Sequence, residues 1–379
     1  MTNYIEGSEN GVKLHKVNKL VKHTEDSEIL PRKSSAGQRD LTFDLIKGIG
    51  ILAVIAGHFA PTTSRFVYSF HMPLFFIVAG IFFAPKDPLV LMKKDFKRLI
   101  IPFLIVVAIL FAIGVPYAVV LKGDSIWDAS IVRIVRPIYS TGLRYWFGPI
   151  KTGYESTGLL VWFLFALFWC RALYNVLVNK LKPTVLIIAS LGLALLANFI
   201  DNHVFNLPFA FLPGVGAIVF FASGAWISRN KLKYKKSIIL TFTLFACYWV
   251  YFILFENREP LDLYGSHYNN IILDIIGALG AAFIIWLLCK YVFSRLPWLN
   301  KFLAFLGMNS LLILCLHNID RNFINGFSRG IPLGYLFAAV STVIYIVAVF
   351  ILYRFKRIKN VFGIKGWNDI EIKKSHDKV

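Results

Sequence analysis

The sequence predicts an all-α polytopic membrane protein of about ten transmembrane helices with both termini in the cytoplasm. Three observations carry that prediction. Hydrophobic residues make up 57% of the 379 and charged residues only 16%. That is more apolar surface than a chain of this length could hide from water, so its solvent is lipid. The apolar residues fall into runs of about the length a bilayer requires. The formal charge of +20 is spread unevenly, with lysine and arginine gathered in the terminal segments and in alternate loops. This is the pattern of the positive-inside rule and not of a nucleic-acid-binding surface.

Taken in order, residues 1–40 are polar and charged, lack the apolar core of a signal peptide, and read as a cytoplasmic tail. A membrane domain follows over 41–354, with spans at 43–60, 66–84, 99–121, 157–178, 184–200, 208–227, 237–255, 270–293, 302–318 and 331–354. Residues 355–379 form a second, basic cytoplasmic tail. With the N-terminus inside, the cytoplasmic connections carry KDPLVLMKKDFKR, NKLKP, SRNKLKYKKS and KYVFSRLPWLNK. The outer loops DNHVFNL and ENREPLDLYGSHYNN hold few cations. The long outer loop 122–156 departs from the rule with Arg133, Arg136, Arg144 and Lys151, and long loops obey it less strictly. Pro102, Pro116, Pro208 and Pro213 lie within spans and predict bent or broken helices around a cavity. The four cysteines sit in apolar runs without metal-type spacing or a disulfide framework. No internal repeat suggests the inverted halves of a transporter.

Ionisable residues in or beside a span are costly in a bilayer and mark functional candidates. Asp44 and Lys47 stand at the inner end of the first span, and His58 at its outer end. His71 opens the second span and His317 closes the ninth, both on the outer side. Lys47 and His58 are eleven residues apart, close to three helical turns and about 16 Å, so they share one side of the helix. Lys93, Lys94, Lys97 and Arg98 precede the third span on the inner side.

This layout suits acyl transfer across the membrane. A cationic collar of Lys47, Lys94, Lys97 and Arg98 would hold the phosphates of coenzyme A, because ammonium and guanidinium groups pair with phosphate oxygens. His58, with His71, would take the proton from an acceptor hydroxyl or carry the acyl group as an acyl-imidazole; the residues do not choose between these routes. Asp44, Glu155, Trp162 and His317 are candidates for the acceptor side. Each also has a plainer reading. Lys47 can snorkel to the inner interface or pair with Asp44 at i,i+3. Glu155 and Asp274 can be solvated loop carboxylates. Trp162 can belong to the aromatic belt, and any single histidine at a helix end can be an interfacial residue.

Several stretches in chain order carry a resemblance. They are RDLTFDLIKGIGILAVIAGH, FHMPLFFIVAGIFF, KKDFKRLIIP, TGLLVWFLFALF and FLGMNSLLILCLH. Together, from about residue 39 to residue 317, the chain resembles the acyltransferase 3 family of integral membrane acyltransferases, in particular fucose 4-O-acetylase and related acetyltransferases. The resemblance implies a ten-helix bundle in a bacterial inner membrane. It also implies an acyl-coenzyme A donor, usually acetyl-CoA, and an acceptor hydroxyl on an envelope sugar, a lipid-linked sugar or a similar molecule, with no metal and no nucleic acid. The essential histidine closing the family's first helix falls on His58. The basic residue eleven positions earlier, commonly arginine, is Lys47 here, which keeps the charge and loses the bidentate fork. The basic motif before the third helix falls on Lys94, Lys97 and Arg98. The expected activity is therefore O-acetylation of an envelope glycan. A sugar transporter or flippase using the same polar passage ranks second, and a scaffold of an envelope assembly third.

Overall fold

The computed structural model describes residues 40–123, 125, 162–203, 207, 209–229, 236–256, 261–265, 268–324 and 334–370. Helix α1 is Thr42–Phe59, followed by a 3₁₀ turn at Pro61–Thr63 and helices α2, Ser64–Tyr68, and α3, His71–Ile81. Helix α4, Pro88–Asp95, runs through a π-helical turn at Phe96–Ile100 into α5, Ile101–Lys122. Next come α6, Trp162–Val178; α7, Pro183–His203; α8, Phe211–Gly216; α9, Ile218–Arg229; and α10, Lys236–Phe255. Helix α11, Ile271–Leu287, ends in a second π-helical turn, Leu288–Val292. The last elements are α12, Pro297–Met308; α13, Ser310–Ile324; α14, Gly334–Tyr353; and α15, Lys356–Phe362.

The protein is thus an all-α polytopic membrane protein. Among the described residues eight helices or near-continuous helix pairs are long and apolar enough to cross a bilayer, and nine if the bent pair α12–α13 is one span. Helix α6, with 17 described residues, is shorter. The ten apolar runs are not ten plain rods. The second is interrupted at Ser69 and Phe70, the third and eighth by π-helical turns, and the sixth at Ala217. The ninth bends by 68°.

Burial sorts the helices into a centre and a rim. In α1 67% of the span is buried and in the α8–α9 pair 72%, against 17% in α10 and in α14. The rim helices turn Leu240, Leu244, Leu254 and Phe255, and Val343, Ile344 and Ile351, outward. In lipid these side chains need no cover. Apolar burial also supplies no net pull between helices there, so close backbone packing must hold the centre together. Two crossings provide it. Gly48 of α1 lies on the Leu303 carbonyl of α12 while Gly307 of α12 lies on the Asp44 carbonyl of α1. Gly80 of α3 lies on the Phe221 carbonyl of α9 while Gly224 of α9 lies on the Ile77 carbonyl of α3. At all four positions a Cβ would collide with backbone that cannot step aside.

Ten residues beyond the first crossing on both segments, His58 of α1 meets His317 of α13, with ring centroids 5.6 Å apart. Equal intervals mean that the first and ninth spans run in the same direction, as two odd-numbered spans must.

The crossings make a test. Gly80→Ala and Gly224→Ala should each destabilise the bundle by about 1–3 kcal/mol through overpacking. Gly192→Ala, at a site with nothing within 4 Å, should be neutral or slightly stabilising because alanine is the better helix former. Thermal unfolding of the purified variants in detergent checks the contrast.

Candidate active site

His58 is the next-to-last residue of α1 and is half-buried. Its Nδ1 lies 3.2 Å from the Tyr68 hydroxyl at the end of α2. The Pro61–Thr63 turn makes this possible. It reverses the chain, and the Thr63 hydroxyl donates to the Ala60 carbonyl at 2.7 Å and so tightens it. His317 is fully buried on α13, and its Nδ1 lies 3.0 Å from the Tyr345 hydroxyl of α14, itself 2% exposed. The Phe59 ring, 5.2 Å from that of His317, packs on the same imidazole. His71 is 4% exposed and its Nδ1–H donates to the Val67 carbonyl at 2.8 Å. Its ring faces Tyr68 at 4.7 Å. The result is a chain of contacts, Tyr345–His317–His58–Tyr68–His71, drawn from α14, α13, α1, α2 and α3.

The structure therefore gathers the three histidines that the sequence places at span ends, but not as equals. His71 does not open its span. The span begins at Ser64, so His71 lies inside the bundle with one nitrogen committed to backbone, and it reaches His58 only through Tyr68. His317 touches His58 directly. Tyr68 and Tyr345 were not singled out from sequence, where an aromatic near a span end reads as a belt residue. Among the described residues no group of three His, Cys, Asp or Glu side chains could hold a metal ion.

The basic residues form a second centre. Lys94, Lys97 and Arg98 are exposed, on α4 and the π-helical turn after it. Asp95, between them, is 2% exposed and accepts from Nε of Arg171 on α6 at 2.6 Å. The Arg171 guanidinium also lies 5.3 Å from the Phe83 ring centroid. Lys94 is within electrostatic reach of Lys86, Arg98 and Asp95, and Arg98 within reach of Arg171 and Asp95. Asn175 of α6, fully buried, fixes the backbone of Lys86 from both sides, donating to its carbonyl at 2.8 Å and accepting from its N–H at 3.0 Å. Lys94, Arg98 and Arg171 thus share one buried carboxylate, with Lys86 beside Lys94, a balance that favours an anion. Arg171 was missed, although a lone arginine in the apolar run WFLFALFWCRALYNVLV is a signal of function in a span.

Lys47 stands apart from that group. Its Nζ is 2.6 Å from Oδ1 of Asp44, which is 2% exposed, so the i,i+3 pair is formed. Trp162 is 8% exposed and packs at 5.3 Å on Tyr264 of the 261–265 loop, an interior wall and not a belt position. Asp274 is 9% exposed and accepts from the N–H groups of Asn269 and Asn270 at 2.9 and 3.2 Å. It thus reaches back from the first turn of α11 to the backbone before it, beside the N-cap Asn270, and is no solvated carboxylate. Beside it, burial pushes the Tyr268 phenol well above its usual value, and the carboxylates of Asp274, Asp262 and Asp201 add to the rise. Glu155 and most of the loop 122–156 lie outside the described residues.

An imidazole cluster thus lies at one end of the helical bundle and a cation cluster at the other. A family model described as an acyltransferase domain, the acyltransferase 3 family, matches residues 40–354. The chain belongs to that family and is a multi-pass membrane acyltransferase. No curated protein sequence matches it.

The buried Asp95–Arg171 pair is open to measurement. Arg171→Ala should cost about 3–5 kcal/mol of stability by leaving a buried carboxylate uncompensated, whereas the double change Asp95→Leu with Arg171→Met should recover most of the loss. A double-mutant cycle in thermal or denaturant unfolding reads the difference.

Proposed function

We propose that this chain is an O-acyltransferase that moves an acetyl or other short acyl group from cytoplasmic acyl-coenzyme A to a hydroxyl of a cell-envelope sugar. One observation supports the reading above the others. His58, held by Tyr68 and in contact with His317, stands about 16 Å along α1 from Lys47. The cation group of Lys94, Lys97, Arg98 and Arg171 belongs to the Lys47 end. Helix α15 packs on the π-helical turn 96–100, and the loop after it bonds to Asn309, next to the crossing at Asp44.

In this mechanism the coenzyme's phosphates rest on Lys94, Lys97, Arg98 and Arg171, with Lys47 nearer the passage, and the thioester arm extends toward His58. The Nδ1–H of His58 donates to the Tyr68 oxygen, which leaves Nε2 as the basic nitrogen. Nε2 takes the proton of the acceptor hydroxyl as its oxygen attacks the thioester carbonyl. The C–S bond breaks, and the proton passes on to the leaving coenzyme A thiolate. His317, kept oriented by Tyr345, and Trp162 line the acceptor half. His71 acts on His58 only through Tyr68, by holding the phenol ring in place. The acceptor is an envelope glycan or lipid-linked sugar, met on the outer side of a bacterial inner membrane.

The test is coenzyme A thiol release by the purified protein in lipid nanodiscs, given acetyl-CoA and a panel of sugar acceptors. His58→Ala should lower kcat by roughly 10²–10⁴-fold, the usual worth of a general base. Tyr68→Phe should lower it about tenfold, the worth of one hydrogen bond that orients the base. Full activity in His58→Ala would overturn the mechanism. Sugar movement across vesicles without thiol release would favour the transporter reading.

A further inference from the structure

The sequence marks residues 355–379 only as a basic tail, yet the described part of it is built into the bundle. Helix α15 ends at Gly363, whose φ of 64° is the left-handed conformation that glycine adopts without cost. Beyond it Ile364 and Ile370 are 2% and 4% exposed. Trp367 sets its ring edge against Phe305 of α12 at 5.5 Å, with the Lys301 ammonium 5.0 Å from its centroid. Asp369 accepts from the Gly366 N–H at 2.9 Å and from the Tyr353 hydroxyl at 3.2 Å. The Gly366 bond holds the carboxyl below its usual range, helped by Tyr353, Lys359 and Lys365. A solvated tail needs none of these contacts.

At their centre is Asn309, 1% exposed, at the bend between α12 and α13. Its Oδ1 accepts from the Lys365 N–H at 2.9 Å, and its Nδ2–H₂ donates to the Lys365 carbonyl at 3.0 Å. The same Nδ2–H₂ donates to the Phe305 carbonyl at 2.8 Å, which the Asn309 backbone N–H already uses at 3.2 Å. The amide thus shares one carbonyl with the backbone N–H, a side-chain back-bond of the kind that bends helices, and no proline is present at the 68° bend. The bend is thus held by one amide clasped on both sides by a peptide 56 residues further along the chain.

His317 lies eight residues past Asn309, about 12 Å along α13. Over that lever a 10° change in the bend would move the imidazole by about 2 Å relative to His58. Misplacements of about 1 Å can cost around a hundredfold in rate.

We infer that Asn309, clasped by the peptide at Lys365, is a positioning residue that sets His317 against His58, so that the segment 356–370 is a working part of the transferase. The inference rests on the reading of the His58 cluster as the acyl-transfer centre.

The test uses the full chain in nanodiscs and two readouts, steady-state kinetics with acetyl-CoA and hydrogen exchange of the α13 amides. Asn309→Leu keeps the volume and removes the clasp. It should lower kcat at least tenfold, leave the KM for acetyl-CoA within about twofold, and speed exchange over 310–319. Asn309→Asp keeps the bond from the Lys365 N–H and should fall between native and Asn309→Leu. Should Asn309→Leu not fold, a chain ending at Phe355 takes its place; it keeps the bond to Phe305 and loses the clasp together with the packing of Ile364, Trp367 and Ile370. Faster exchange with an unchanged kcat would overturn the inference and leave the His58 mechanism standing. Unchanged exchange would overturn it as well. A native protein that transfers nothing to any acceptor would overturn the underlying function, and exchange alone would then decide whether the clasp orders α13.

Discussion

The backbone crossing of α1 on α12 is the constraint on which the rest of the site depends. Gly48 and Gly307 each rest on a carbonyl of the facing helix, which brings the two axes as close as helices can come. Because the spans run in the same direction, that contact carries over to the outer end, where His58 and His317 sit 5.6 Å apart. It also carries over to the inner end, where the Asp44 carbonyl is part of the crossing and the Asp44 carboxylate neutralises Lys47. In lipid, where apolar surfaces gain little from one another, such close packing is what brings the two segments together.

Charge is divided between the ends in a way that suits the two halves of a transfer reaction. The inner end carries Lys94, Arg98 and Arg171 around the buried Asp95, with Lys86 beside Lys94. Asp95 and Phe83 both hold Arg171, so its guanidinium is fixed in orientation. The outer cluster is built of imidazoles and phenols. Its imidazoles and phenols are matched in pairs, His58 with Tyr68 and His317 with Tyr345, each phenol oxygen within hydrogen-bond distance of Nδ1.

Much of this was legible in the sequence, and what was not has physical causes. Apolar run length found the membrane class and the helical segments, because the bilayer imposes a length on every span. It did not find the interruptions. The sharpest bend arises at Asn309 without a proline, from a side-chain amide whose partner, Lys365, lies 56 residues away. The ionisable residues at span ends, His58 and His317, were legible because charge in lipid is rare. His71 was expected at the entrance of its span, but the break at Ser69 and Phe70 lies within one apolar run that begins at Ser64, so hydropathy does not show that His71 sits inside. Tyr68 and Tyr345 were invisible, because a tyrosine acquires its meaning from the residue it faces, and that follows from packing. Arg171 had a visible signal, a single cation in an apolar run, and its partner Asp95 was hidden among lysines that read as a cytoplasmic loop.

The account requires donor and acceptor to work from opposite ends of one passage, and a single measurement in sealed inside-out vesicles tests this most directly. Labelled acetyl-CoA would be added outside vesicles holding the acceptor in their lumen. Transfer would be followed for the native chain, for Arg98→Glu and for His58→Ala. Label is expected on the lumenal acceptor. Arg98→Glu is expected to raise the KM for acetyl-CoA with kcat largely kept, and His58→Ala to lose kcat with KM largely kept. Label that appears only when acetyl-CoA is given access to the lumen, or a loss of kcat alone in both variants, would contradict this arrangement.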